Sequence, residues 1–455
     1  MFATYWDEAW HTDIGRDTFW TAPHLLLYGA VAVAGLAVAL WGVKALASGA
    51  SLRTVLRYGP LVLAGVSGLA VLAAAPIDAA WHTSFGRDSV AWSPPHMLVL
   101  LASTAMLMAM LAGLSRRDVT LRAAVAALLM GNAVAVVFEY EAGVPQFAEA
   151  LYLPVLIPAG LFVALLVRGE VHLRAPVSVV VVGYAMLRLL VGLGLLLLGR
   201  STPDLPIAVL GFAAMDLPFK SLWRRLAAGA AATAALAWAA SATGLASPDR
   251  GAVSAVAFVV IAISLVAFLA TARNPRAIGA AAVVVGVAAM GLGSAKPAEA
   301  HDPGQGKSVV DAVMTANVDG HGTIQLTVEP GGHCGELAPV RVVARRAGET
   351  ITGALRQTGA CTFTGSISVP VQGRWFVYAE LEQNGSAIEG WLPVDTDLPQ
   401  TLPQTRTLYQ PPAGESDVTV AQAISGGLIY AAGLGLLVMG GVVTIRERRK
   451  ALTLA

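Results

Sequence analysis

Charge is what this chain has least of: only 13% of its 455 residues are Asp, Glu, Lys or Arg, while 56% are hydrophobic. Both values lie far from those of a soluble globular protein. The little charge present nearly cancels, with 30 basic residues against 29 acidic ones. A chain without basic excess is poorly suited to neutralising a phosphate backbone, which argues against a nucleic-acid partner. Cysteine is scarce as well, at two residues, and no HxxxM follows them. That absence speaks against a blue-copper centre, which needs two His, a Cys and usually a Met in order.

In place of charge stand long apolar runs such as LLLYGAVAVAGLAVALWGV. Runs of this length predict transmembrane helices. Eleven candidates fall near 24–43, 58–76, 95–113, 121–138, 151–167, 176–199, 206–219, 226–246, 252–272, 277–295 and 422–443, the seventh being the shortest. The basic residues mark the cytoplasmic loops. Lys44, Arg53 and Arg57 follow the first span, Arg116, Arg117 and Arg122 the third, and Arg168 and Arg174 the fifth. Lys220, Arg224 and Arg225, then Arg273 and Arg276, and finally RERRK at 446–450 continue the series. The fold class expected is therefore an α-helical polytopic protein of the cell membrane, with the N-terminus outside and the C-terminus inside.

One insertion breaks this pattern. Residues 301–415 alternate apolar and polar positions in GTIQLTVEP, PVRVVARR, CTFTGSISVP and RWFVYAELEQ, separated by Gly, Pro and Asn. Period-two alternation in short runs predicts an antiparallel β-sandwich, hung outside the membrane between two spans. It holds both cysteines, Cys334 and Cys361. In an oxidising compartment a disulfide is the default; a thiolate metal site is the alternative. The chain thus divides into residues 1–114 with a doubled motif (1–57 and 78–122), a helical bundle over 115–300, the β-domain over 301–415, and an anchor with a cytoplasmic tail over 416–455.

The doubled motif is DEAWHTDIGRDTFWTAPH at 7–24 and DAAWHTSFGRDSVAWSPPH at 78–96. With a one-residue gap the copies share Asp7/Asp78, Trp10/Trp81, His11/His82, Gly15/Gly86, Arg16/Arg87, Asp17/Asp88, Pro23/Pro95 and His24/His96, among others. An Asp and a His four residues apart lie on one helix face. Thr21 and Ser93 read as N-caps followed by Pro, placing His24 and His96 in the first turn of a span. There the positive end of the helix dipole disfavours imidazolium and keeps a lone pair available. One carboxylate with two neutral imidazoles makes a three-ligand set for a divalent transition metal with positions left open. The competing reading is a membrane-interface belt, which would contain Trp10, Trp20, Trp81 and Trp92 in any case.

The string DxxWHxxxxRDTxxxTxxH resembles the metal motif of the C subunit of the copper membrane monooxygenases, the particulate methane and ammonia monooxygenases. In that family an Asp, a His four later and a His thirteen beyond bind a metal taken as copper. Asp7, His11 and His24 match with the same spacing, and Arg16, Asp17 and Thr18 match the intervening RDT. In the second copy His96 lies fourteen after His82. The resemblance implies copper, with zinc possible, at Asp7, His11, His24 and at Asp78, His82, His96. It also implies other membrane subunits or a homo-oligomer as partners, and a small apolar substrate or ammonia. Family members carry the motif once and lack a fused soluble domain; this chain doubles it and adds one.

The β-domain resembles CopC-like and YtkA-like sandwiches in VQGRWFVYAEL. AKPAEA before HDPGQG resembles a signal-peptide cleavage site ahead of a copper-binding N-terminal His, which would make His301 a ligand with His321 or His333; an uncut span is the alternative. This second resemblance implies a copper uptake or delivery protein laid out like a CopD–CopC fusion. Within the spans, Asn132, Arg188 and Asp216 need partners. Arg188 with Asp216 is the expected pair, either holding the bundle or serving as a conduit for protons or metal.

Overall fold

A computed structural model describes residues 1–14, 20–85, 91–145, 147–247, 307–332, 334–346, 349–370, 373–410 and 419–453. The helices are α1 (Phe2–Asp13), α2 (Ala22–Ala47), α3 (Leu52–Val55), α4 (Gly59–Phe85), α5 (Pro94–Gly113), α6 (Val119–Val134), α7 (Phe138–Glu141), α8 (Tyr152–Glu170), α9 (Pro176–Leu197), α10 (Leu222–Ala242) and α11 (Thr419–Thr453). Among the described residues seven helical stretches are long and apolar enough to cross a membrane: Ala22–Ala47, Gly59–Trp81, Pro94–Gly113, Val119–Glu141, Glu149–Glu170, Pro176–Leu197 and Val420–Lys450. They correspond to the first six expected spans and the last. Expected spans nine and ten lie outside the described residues. The eighth forms α10, an alanine-rich helix whose first turn carries Arg224 and Arg225; it is not among the seven.

The seventh expected span is not one. Residues Ala208–Asp216 form a nine-residue 3₁₀ segment, too short to cross a bilayer. It is apolar because it is buried, packed against α9 and α10. A Cβ on Gly211 would meet the Thr233 backbone nitrogen at 2.2 Å, so glycine is what lets the two backbones touch.

The expected pairing of Arg188 with Asp216 is also corrected. Arg188 Nη2 lies 3.0 Å from Glu141 Oε2, and Asp216 instead takes Arg168 Nη1 at 3.0 Å. Depth decides this. Asp216 also accepts from the Ser178 N–H at 2.7 Å, at the start of α9. Arg188 is ten residues further along that helix, about 15 Å away at the usual rise. Asn132 finds partners on α5, donating to Thr104 Oγ1 at 2.7 Å and the Leu100 carbonyl at 3.0 Å.

The last helix is fitted to the front of the chain. Gly426, Gly433 and Gly440 recur every seven residues along α11, and a Cβ on each would come within about 3 Å of Trp81 or Pro94, Leu101 and Met108 respectively. Small residues on one stripe let α11 approach α5 and the end of α4 closely.

The soluble domain comprises β1 (Lys307–Asp319), β2 (Thr323–Pro330), β3 (Leu337–Arg346), β4 (Glu349–Gly359), β5 (Thr362–Ser368), β6 (Arg374–Gln383), β7 (Ser386–Asp395) and β8 (Pro399–Gln410). All its strands are antiparallel, as expected, but they close into one barrel in the order β1-β2-β5-β4-β3-β6-β7-β8. The expected sandwich is thereby corrected. Closure comes from β1 pairing with both β2 and β8, the latter from Lys307↔Gln410 to Asp319↔Pro399. The expected disulfide is present, joining Cys334 to Cys361 with Cα atoms 5.6 Å apart.

Inside the barrel Met314, Leu326, Val342, Phe363, Trp375, Val377 and Leu392 form the core. Alternation fails on β6, where Trp375–Ala379 are all buried, because its outer face is covered too. Val343, Phe376, Tyr378 and Trp391 pack there against Ala142 and Val144 from the segment after α7. Arg346 Nη1 meets Glu149 Oε1 at 2.5 Å, and Arg406 donates to the Ile14 carbonyl at 2.6 Å. The barrel therefore sits at the end of the bundle that carries α1.

Candidate metal centre

α1 is amphipathic, burying Tyr5, Glu8, Ala9, His11 and Thr12. These positions recur at helical spacing, so one face turns into the bundle. His11 is 3% exposed. Asp7 lies one turn before it, with Oδ2 3.7 Å from His11 Nε2. The third group arrives from α2. Thr21 stands at its N-cap with Pro in the first turn, and His24 Nε2 is 3.1 Å from Asp7 Oδ1. Asp7, His11 and His24 each offer a ligand atom, and all three atoms lie within 4.8 Å of one another.

Burial on its own would raise the Asp7 carboxyl; the charges and hydrogen bonds of His11 and His24 outweigh it and hold the group well below the usual carboxylate range. The carboxylate is thus ionised, the state a divalent ion requires of it.

The second copy is built on different lengths. Its Asp78 and His82 sit in the last turns of α4, a 27-residue helix, whereas the first copy uses the separate 12-residue α1. The repeated unit is therefore a motif helix followed by a His-bearing span, α1–α2 and α4–α5. Ser93 caps α5, accepting from the His96 N–H at 3.4 Å. His96 Nε2 then lies 3.3 Å from Asp78 Oδ1. The side chain of His82 lies outside the described residues, as do Arg16, Asp17, Arg87, Asp88, His301 and His333. The cleavage reading at His301 falls there too.

The described residues that flank both motif loops are held by other parts of the chain. The Asp13 carboxylate accepts from the Ser201 N–H at 2.7 Å and from its hydroxyl, and the neighbouring Ile14 carbonyl takes Arg406 of the barrel. In the second copy the Ala91 N–H donates to Glu139 Oε1 at 2.7 Å, and the Trp92 carbonyl accepts from the Tyr430 hydroxyl of α11. The tryptophans divide between the two readings. Trp20 is 71% exposed, as an interface belt requires, but Trp81 is 5% exposed and stacks edge-on with Phe85 at 4.6 Å.

Sequence reasoning missed Glu8, 3% exposed on α1. Burial pushes its carboxyl up to about 7, His11 opposes that shift, Asp7 reinforces it and His96 opposes it. The spacing of Glu8 to His11, three residues on a helix, was the available signal. It also missed Glu141 as the partner of Arg188, whose guanidinium stacks over the Tyr5 ring at 4.1 Å.

No known protein family, curated protein or solved structure matches this chain. The likeness to the monooxygenase C subunit accordingly rests on the motif residues themselves.

Proposed function

We propose that this is a copper-binding membrane protein related to the C subunit of the particulate methane and ammonia monooxygenases, acting in a complex that oxidises a small apolar substrate or ammonia. The observation that carries it is the convergence of one ligand atom each from Asp7, His11 and His24, all within 4.8 Å of one another. A carboxylate oxygen with two imidazole nitrogens suits copper or zinc, and three ligands leave positions open to solvent or substrate. The chain's own part is to hold these groups: α1 supplies Asp7 and His11 one turn apart, the α2 N-terminus aims His24 at them, and burial limits the water that reaches His11. Copper bound there would supply one-electron redox chemistry.

A second reading, copper uptake or delivery without substrate chemistry, is favoured by one specific contact. The barrel is fused to the chain and grips the end of the motif helix through Arg406 and the Ile14 carbonyl, which suits hand-over between a soluble domain and a membrane site.

Full-length protein purified in nanodiscs and dialysed against Cu(II) and Zn(II) tests both. Retention of copper, with reductant-dependent oxygen uptake on ammonia or a short alkane once the native membrane partners are present, supports the first. Rapid passage of copper to an apo acceptor without oxygen uptake supports the second. Retention of neither metal sinks both.

The proposal places motifs and barrel on the extracytoplasmic side. A membrane-impermeant thiol reagent should then label a Cys placed at Ser84 or Ser247 and miss one at Ser115, in intact cells. All three positions are exposed, and the native cysteines are bonded to each other, so the background is low. The opposite labelling pattern would overturn the orientation.

A further inference from the structure

Besides Asp13, which Ser84 replaces and which Ser201 engages, Glu8 is the carboxylate of the first motif that the repeat does not copy. Where the first copy reads DEAWH the second reads DAAWH, with Ala79 in its place. A side chain needed to shape each motif helix would be needed in both copies. One shared between them would be needed once.

Its position agrees. Glu8 is buried to 3% exposure on the same face of α1 as His11, three residues on. It lies within electrostatic reach of His11 and Asp7 in its own copy and of His96 in the other. His96 is itself held against Asp78 at 3.3 Å. α1 is brought to the second copy by packing: Phe2 and Trp6 share a cluster with Ala91 and Leu100, on either side of His96 in the chain. Glu8 is therefore within electrostatic reach of a histidine of each copy.

Resting on the metal-binding reading above, we infer that Glu8 is a ligand common to both motif copies, a carboxylate bridging two divalent first-row ions, one held by Asp7, His11 and His24 and the other by the Asp78–His96 pair. A carboxylate has two oxygens, one for each ion. The charge balance favours it as well. Two divalent ions bring four positive charges to a buried place where neutral imidazoles bring none, and Asp7 and Asp78 supply only two negative ones. A third carboxylate inside the cluster lowers the uncompensated charge. The ligand class is thus a pair of copper or zinc ions in one binuclear unit.

The test compares full-length wild-type protein with Glu8→Gln, which keeps the size and hydrogen-bonding shape of the side chain, after loading with Cu(II). The wild type should bind two coppers and show a spin-coupled electron paramagnetic resonance spectrum with a half-field transition. Glu8→Gln should bind the second copper about 100-fold more weakly and give an uncoupled mononuclear signal. Two coppers bound by Glu8→Gln with unchanged affinity and coupling would overturn the inference. So would a wild type that saturates at one copper or binds two without coupling, a result that needs no variant to fold. His11→Ala separates this inference from its foundation. If it loses copper while Glu8→Gln does not, only the bridge falls; if it keeps all its copper, the metal reading itself falls.

Discussion

His11→Ala should cost the purified protein about one equivalent of copper while leaving it folded, because an open three-ligand site cannot hold the ion tightly with two. The effect is large because His11 is the most buried member of the set, 3% exposed against 19% for Asp7 and 12% for His24. Removing the imidazole leaves Asp7 and His24 only 3.1 Å apart, free to pair with each other instead of with an ion. The double variant with His82→Ala should lose both equivalents. A single pocket fed by both copies would lose all metal on either change alone, so metal analysis by mass spectrometry distinguishes the arrangements. Copper and zinc contents unchanged in the folded double variant would return the repeat to an interface belt.

Glu141→Gln should strongly destabilise the bundle. Arg188 and Glu141 are both buried, 3.0 Å apart. Neutralising one leaves the other's charge without its counter-ion in a low-dielectric interior, at a cost of about 3–5 kcal/mol. The Arg188 guanidinium also donates to the Asp204 carbonyl at 2.7 Å and stacks on Tyr5 of α1. Loss of Glu141 should therefore loosen the motif helix as well as the α7–α9 contact. Thermal unfolding in detergent should show a lowered Tm together with reduced copper content. The double variant Arg188→Met, Glu141→Gln, which removes both charges, should recover most of the loss. A single variant as stable as the wild type would mean that water reaches the pair.

Much of this was legible because hydrophobicity and charge act over many residues at once. A run such as that of Ala22–Ala47 has no soluble reading, and seven of the expected spans stand where the apolar runs are. The motif was legible because helix geometry fixes what four residues' spacing means, and because the copies agree while their surroundings differ. Cys334 and Cys361 had only each other. What sequence could not give was set by tertiary depth and closure. Period-two alternation is the same in a sandwich and in a barrel; only the pairing of β1 with β8 separates them. The stretch at 208–216 is apolar for the reason a core is apolar, and its length alone hinted at it. Arg188 and Asp216 looked like partners as the two opposite charges in neighbouring runs, yet they sit at different heights along α9, and each took the ion nearest its own level. Glu8 was hidden by lying beside Asp7, where a pattern built on the shared residues of two copies discards whatever only one copy has.

The pairing of Lys307 with Gln410 has a consequence for how such a chain could be assembled. First and last strands lie side by side, so the chain enters and leaves the barrel at neighbouring points, within about 5.5 Å in an antiparallel pair. The 104 residues Lys307–Gln410 form a cassette: cut out and replaced by a short Gly-Ser link, they would leave the flanking segments no further apart than before. α11 would keep its place through its own glycines against α5. A membrane scaffold with such a socket can gain, lose or exchange its outer domain in a single genetic step without rethreading any helix.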